Sequence, residues 1–144
     1  MPYKPASDAR DRGPILYVDR ARVHPGSIEV LKVRIAELVS LVDRSEPQIL
    51  WYGAYFDEST TELSVVHLHR DSASLELHMQ VIEPALSGFP GLISLTRIDV
   101  YGPVTESISE RLRQKAERLG GATLTFHDLH AGIAELASAV PAPP

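Results

Sequence analysis

Residues 63–78, LSVVHLHRDSASLELH, decide the fold of this chain, because a strand with two histidines runs through an aspartate into a helix with a third. The two-residue period of a strand places His67 and His69 on one face. Asp71 is a natural N-cap, since its carboxylate can accept a backbone N–H of the first helical turn. His78 lies on the apolar stripe of the helix, which must pack back onto the sheet. The stretch therefore predicts three imidazoles that converge on one interior.

Composition narrows the class of protein. The 144 residues are 44% hydrophobic, which is enough for one domain with its own core. A net charge of −5 argues against a nucleic-acid or anionic-membrane partner. The absence of cysteine excludes disulfides and thiolate metal sites. No apolar segment is long enough for a signal sequence or a membrane span, so we expect a cytoplasmic protein.

Hydrophobic periodicity predicts a βαββαβ core followed by one more helix and one more strand. The predicted strands are 15–23, 48–56, 63–70, 93–101 and 122–130, and the first two helices are 27–44 and the segment after Asp71. A capping box at Ser107 to Glu110 opens the third helix, whose Lys115 we interpret as part of a solvated basic face. The predicted organisation is a flexible arm (1–14), a core domain (15–102), a helix–strand extension (103–136) and a flexible tail (137–144).

The second predicted strand is aromatic on both faces. Alternation places Trp51 and Tyr55 together, and we predict that they form aromatic walls of the interior. Tyr52 then shares the opposite face with Leu68 of the next strand. Because helices would cover only one side of the sheet, this second face needs a partner, and we expect a homodimer.

Several short motifs carry a resemblance to a known family. They are Pro25-Gly26 before the first helix, Glu46-Pro47 before the second strand, Leu50-x-Tyr52 within it, and Arg70-Asp71 followed by Ala73, Leu75 and His78. In these motifs, residues 15–101 resemble the antibiotic biosynthesis monooxygenase superfamily. The resemblance implies an α+β, ferredoxin-like protomer, here with an extra C-terminal helix and strand. It also implies that two sheets pair into a dimeric α+β barrel, with a pocket between each sheet and its own helices.

The resemblance also implies a range of activities. Members include cofactor-independent oxygenases of quinols or polyketide phenols, and haem-degrading enzymes. The haem-degrading branch carries Asn, Trp and His at positions that correspond to Asp19, His69 and His78 here. Only the histidine is retained, which argues against haem degradation. Two further departures are Gln48, where the family usually has Gly, and His67, where many members have Glu.

The predicted reaction is a cofactor-independent monooxygenation of a small aromatic quinol or phenol. We predict His78, His69 and Asp19 as catalytic residues, with one imidazole as the base and the carboxylate fixing its tautomer. The predicted substrate-binding residues are Trp51, Tyr55, His67 and Tyr17. No cofactor, no metal and no partner other than the substrate and a second copy of the chain are expected.

Two alternatives remain open at this point. Two or three histidines with a carboxylate are also the ligands of non-haem iron or zinc sites, and the spacing of His67 and His69 suits such a site. A metal- or haem-dependent oxygenase is therefore possible on the same fold. The other alternative is a non-catalytic small-ligand-binding or structural protein, in which bulky side chains fill the pocket. His24, His127 and His130 are expected at the surface.

Overall fold

A computed structural model of the chain describes residues 3–4 and 13–133. Its elements, in chain order, are β1 (Ile15–Val23), α1 (Ile28–Ser45), β2 (Trp51–Phe56), β3 (Glu62–His69), α2 (Ser72–Ile82), a 3₁₀ helix (Glu83–Gly88), β4 (Ile93–Tyr101), α3 (Glu106–Arg118) and β5 (Thr123–His127). Most of the predicted arm, the end of the predicted extension and the predicted tail lie outside the described residues.

The five strands form one sheet in the order β2-β3-β1-β4-β5. Each of the first four strands is antiparallel to its neighbours among them, and β1 lies between β3 and β4, which is the ferredoxin-like arrangement. β5 adds to the free edge of β4 and runs parallel to it. The predicted α+β, ferredoxin-like fold with an added helix and strand is thus confirmed.

The helices cover one face of the sheet and the core lies beneath them. Alternate residues of β1 are buried, as a half-covered strand requires. The core draws on all three helices, with Leu31 from α1, Leu75 from α2 and Leu112 from α3 fully buried. The opposite face of the sheet exposes large apolar side chains, among them Leu16, Trp51, Tyr55 and Tyr101. This uncovered surface is called the open face below.

The predicted facing of β2 is wrong. Tyr52 pairs directly with His67, and Trp51 pairs with Leu68, so Tyr52 points under the helices while Trp51 points to the open face. Trp51 and Tyr55 are 53% and 48% exposed, and neither is a wall of the interior. Both faces of β2 carry aromatic residues, so the hydrophobic pattern contains no information on which face is buried. The register with β3 decides it.

Two predictions about α3 also need correction. The N-cap is Thr105, whose hydroxyl accepts a hydrogen bond from the backbone N–H of Ile108 at 3.2 Å, and not Ser107. Lys115 is 6% exposed and points into the interior, and not onto the solvated face that the charge pattern predicts. Among the described residues, no helix is both long and apolar enough to cross a bilayer.

Candidate functional site

The turn from β3 into α2 positions the histidines. Asp71 Oδ1 accepts a hydrogen bond from the backbone N–H of Ser74 at 2.9 Å, which ends the strand and starts the helix as predicted. His69 is the last residue of β3. His78 lies within α2, about one helical turn after Ser74. Both histidines are fully buried, and His67 is 1% exposed. The convergence of three imidazoles expected from the strand and helix periods is present.

A hydroxyl holds His69. Its Nδ1 is hydrogen-bonded to Oγ of Ser74 at 2.7 Å. That contact is possible because the Asp71 cap fixes the first turn of α2 directly beside the end of β3. The Nε2 atom of His69 has no hydrogen-bond partner among the described residues. The ring is therefore held from one side and presents a free nitrogen on the other.

A carboxylate that sequence reasoning missed holds His78. Glu46 caps the C-terminus of α1, is 1% exposed, and places both carboxylate oxygens at 2.8 and 3.0 Å from Nδ1 of His78. Burial raises the pKa of Glu46 to about 8. The only sequence signal for Glu46 as a site residue is the Glu46-Pro47 motif, in which a charged residue with no obvious partner in the sequence precedes a strand. Nε2 of His78, like that of His69, is unpaired among the described residues.

Asp19 belongs to a different pair from the one predicted. Its Oδ2 accepts a hydrogen bond from Nζ of Lys115 at 2.8 Å and lies 3.5 Å from Nε2 of His67. Burial raises the pKa of Asp19, but Lys115 and His67 outweigh it and lower the pKa to about 2. Lys115 also donates to the hydroxyl of Tyr17 at 2.6 Å. Asp19 is therefore an ionised carboxylate next to His67, and the acidic side chain that contacts His78 is Glu46.

His67 lies at the centre of the cluster. Its ring stacks on Tyr17 with centroids 4.1 Å apart, and it meets Tyr52 edge-on at 4.9 Å. His78 also meets it edge-on, with centroids 4.9 Å apart. Neither ring nitrogen of His67 has a hydrogen-bond partner among the described residues. The ring is thus fixed by packing, with Nε2 close to Asp19 at 3.5 Å and Nδ1 without a hydrogen-bond partner among the described residues.

All three imidazoles are neutral near pH 7. Burial, together with a smaller effect of the neighbouring His67, lowers the pKa of His69 to about 3. Burial likewise lowers the pKa of His67, and that of His78 well below its usual value. Neutral rings keep one nitrogen lone pair each, so the cluster can accept protons or bind a cation.

A cavity of about 50 Å³ lies beside this cluster, between the sheet and the helices. Four polar side chains line it, those of Asp19, Tyr52, His67 and Lys115, and the rest of the lining is apolar. Its volume suits a few water molecules or the reacting end of a ligand, whereas typical ligand pockets hold ~300–1,000 Å³. A larger cavity of about 450 Å³ lies on the open face, and none of the three histidines lines it.

The structure brings most of the predicted site residues together. Tyr17, Asp19 and the three clustered histidines meet under the helices, while Trp51 and Tyr55 lie on the open face. Tyr52, Glu46 and Lys115 complete the site and were not predicted. The remaining histidines are elsewhere: His24 bonds Ser94, His127 pairs with Asp99, and His130 is exposed, as expected.

Comparison with known proteins supports the fold. No protein-family model and no curated protein matches the chain. Among solved structures, MupZ from Pseudomonas fluorescens superposes with a TM-score of 0.67 at 21% identity, over 90% of this chain and 99% of MupZ. A Caulobacter crescentus protein, provisionally named an antibiotic biosynthesis monooxygenase, gives 0.59 at 18% identity over 67% of this chain and 94% of its own. SnoaB from Streptomyces nogalater, described as a cofactor-independent oxygenase, gives 0.55 at 12% identity over 63% and 93%.

The chain therefore has the fold of the antibiotic biosynthesis monooxygenase-like proteins, in agreement with the motif resemblance. The matches to the Caulobacter protein and to SnoaB are about as long as the segment of residues 15–102. The likeness to MupZ is longer and reaches into the added helix and strand. Since α3 supplies Lys115, part of the site lies in this added unit.

Proposed function

We propose that this protein is an oxygenase that acts on a small phenol or quinol, whose hydroxyl end enters the cavity under the helices, without an organic cofactor. The fold shared with SnoaB supports the reaction class. The cavity lining supports the substrate class, because an apolar wall suits an aromatic ring and Asp19, His67 and Lys115 suit an ionisable hydroxyl.

One observation carries the proposal. His67 borders the cavity, is held rigidly by stacking on Tyr17, and has two ring nitrogens without a hydrogen-bond partner among the described residues. It is therefore free to accept a proton from a substrate hydroxyl. Asp19, 3.5 Å away, would stabilise the resulting imidazolium. In this proposal the base is His67, and not His78 or His69 as expected from the sequence.

Proton removal prepares the substrate for O₂. The phenolate is electron-rich and supplies the electrons that reduce O₂. Overall the phenol loses two hydrogens and gains one oxygen atom to become a quinone, and the two hydrogens leave with the second oxygen atom as water. No external reductant is needed. The Lys115 ammonium, which also lines the cavity, stabilises the negative charge that develops.

The test is oxygen uptake with a panel of small phenols and quinols, with mass spectrometry of products formed under ¹⁸O₂. We expect one labelled oxygen atom in the product. His67→Gln should lower kcat/KM by ~10²–10⁴-fold while KM changes little. His130→Ala, at an exposed position, is the matched control and should retain full activity.

Two results would reject the proposal. Undiminished turnover in His67→Gln would remove this residue as the base. Binding of panel compounds, measured by quenching of Tyr fluorescence or by a thermal shift, without oxygen uptake would instead indicate the non-catalytic ligand-binding alternative.

A further inference from the structure

The histidine cluster has a second property that proton transfer does not use. One ring nitrogen from each of His67, His69 and His78 can be chosen so that all three atoms lie within 4.8 Å of one another. These residues come from two elements, β3 and α2, and all are buried. Proton transfer needs only one imidazole. Three imidazoles whose nitrogens lie close together can act as the ligands of one metal ion.

The hydrogen bonds made by one ring nitrogen of His69 and His78 determine whether the other nitrogen can bind a metal ion. Ser74 holds Nδ1 of His69 at 2.7 Å, and Glu46 holds Nδ1 of His78 at 2.8 Å. Both contacts use Nδ1, and the Nε2 atoms of both rings are buried and unpaired among the described residues. Metal-binding histidines characteristically bond their second ring nitrogen to a carboxylate or another polar group in this way, which fixes the tautomer and the ring orientation.

Unpaired buried nitrogens are unfavourable, because each loses its hydrogen bond to water. Here such atoms recur on three adjacent rings, where the structure offers no common protein donor among the described residues. A single cation would satisfy one lone pair on each ring at once. The charge nearby does not oppose a cation, because the ionised Asp19 carboxylate offsets the Lys115 ammonium.

We propose that His67, His69 and His78 bind one divalent transition-metal ion of the zinc and cobalt class. Neutral imidazole nitrogens suit these ions. Tetrahedral ligands at about 2.1 Å from zinc are roughly 3.4 Å apart, so nitrogens 4.8 Å apart must approach by about 1.4 Å, which rotation of the rings must supply. The fourth ligand position would face the cavity through His67, the one member of the three that lines it.

This inference goes beyond the proposed reaction and does not depend on it, because ion binding is measured without substrate. It departs from the expectation of a metal-free site. With an ion bound, His67 would be a ligand, and a hydroxide on the ion would supply the proton acceptor.

The experiment uses untagged full-length protein, stripped with EDTA, dialysed, and titrated with ZnCl₂ by calorimetry and with CoCl₂ by visible spectroscopy. We expect one ion per chain and an intense cobalt spectrum typical of four-coordinate nitrogen ligation. His69→Ala and His78→Ala should each weaken binding by at least 100-fold. Glu46→Gln, which keeps the shape of the side chain at His78 but removes its carboxyl group, should weaken binding by ~10–100-fold.

Controls separate this site from other binding. His130→Ala removes an exposed histidine and should bind like the unmodified protein. Circular dichroism checks that each variant is folded, and the cobalt spectrum of the unmodified protein reports the ligands even if a variant does not fold. No saturable binding at one equivalent, a spectrum of six-coordinate aqueous type, or equal loss in His130→Ala and His78→Ala would overturn the proposal. Failure of oxygen uptake with normal zinc binding would reject only the proposed reaction.

Discussion

Lys115 offers the sharpest test of how the site is held together. Its ammonium is buried and donates to Asp19 at 2.8 Å and to Tyr17 at 2.6 Å. Lys115→Met keeps the length and packing of the side chain but leaves the Asp19 carboxylate buried without its cation. Removing one partner of such a pair typically lowers the free energy of unfolding by ~3–5 kcal/mol, because an uncompensated buried charge remains.

The assay is urea unfolding followed by circular dichroism. At an m-value of about 2 kcal/mol/M, the expected loss moves the midpoint down by roughly 2 M. Lys32→Met on α1 is the matched control, because that side chain is half exposed and its ion pair with Glu29 is 3.9 Å long. The control should change the free energy of unfolding by less than about 0.5 kcal/mol.

A second variant identifies the cause. Adding Asp19→Asn to Lys115→Met removes the stranded charge, so the double variant should be more stable than Lys115→Met alone. Our reasoning about this pair would be refuted if Lys115→Met unfolded within 1 kcal/mol of Lys32→Met, or if the double variant were the less stable of the two.

Three further outcomes follow from the structure. We expect the unmodified protein to sediment as a dimer, at twice the chain mass of 15.8 kDa, and the variant Trp51→Lys on the open face to sediment as a monomer. A mass of 15.8 kDa for the unmodified protein at micromolar concentration would contradict this. Gly102 has φ +128°, and an added Cβ would lie 2.6 Å from the Pro14 carbonyl oxygen, so Gly102→Ala should lower the melting temperature while Gly88→Ala, with nothing within 4 Å, should not. Burial lowers the pKa of His69 from 6.5 to about 3, so in this range the unfolded chain binds the proton more readily. The stability of EDTA-treated protein should therefore fall with decreasing pH, and His69→Asn should reduce the slope by about 1.4 kcal/mol per pH unit.

Local pattern was sufficient for much of the fold. The Asp71 cap, the apolar period of α2 and the punctuation by Pro and Gly are signals that act between near neighbours, so strand β4 was predicted to the residue and β1 likewise. The shared face of His67 and His69 follows from the strand period alone. For the same reason the sequence was enough to place three histidines in one interior.

The partners of those histidines were decided only by the tertiary structure. Glu46 meets His78 across 32 positions of the chain, and Lys115 meets Asp19 across 96. No local period encodes such a contact, because it depends on how α1 and α3 lie over the sheet. The facing of β2 was decided in the same way, since Tyr52 and Trp51 are equally good strand residues and only the pairing with β3 places Tyr52 against His67.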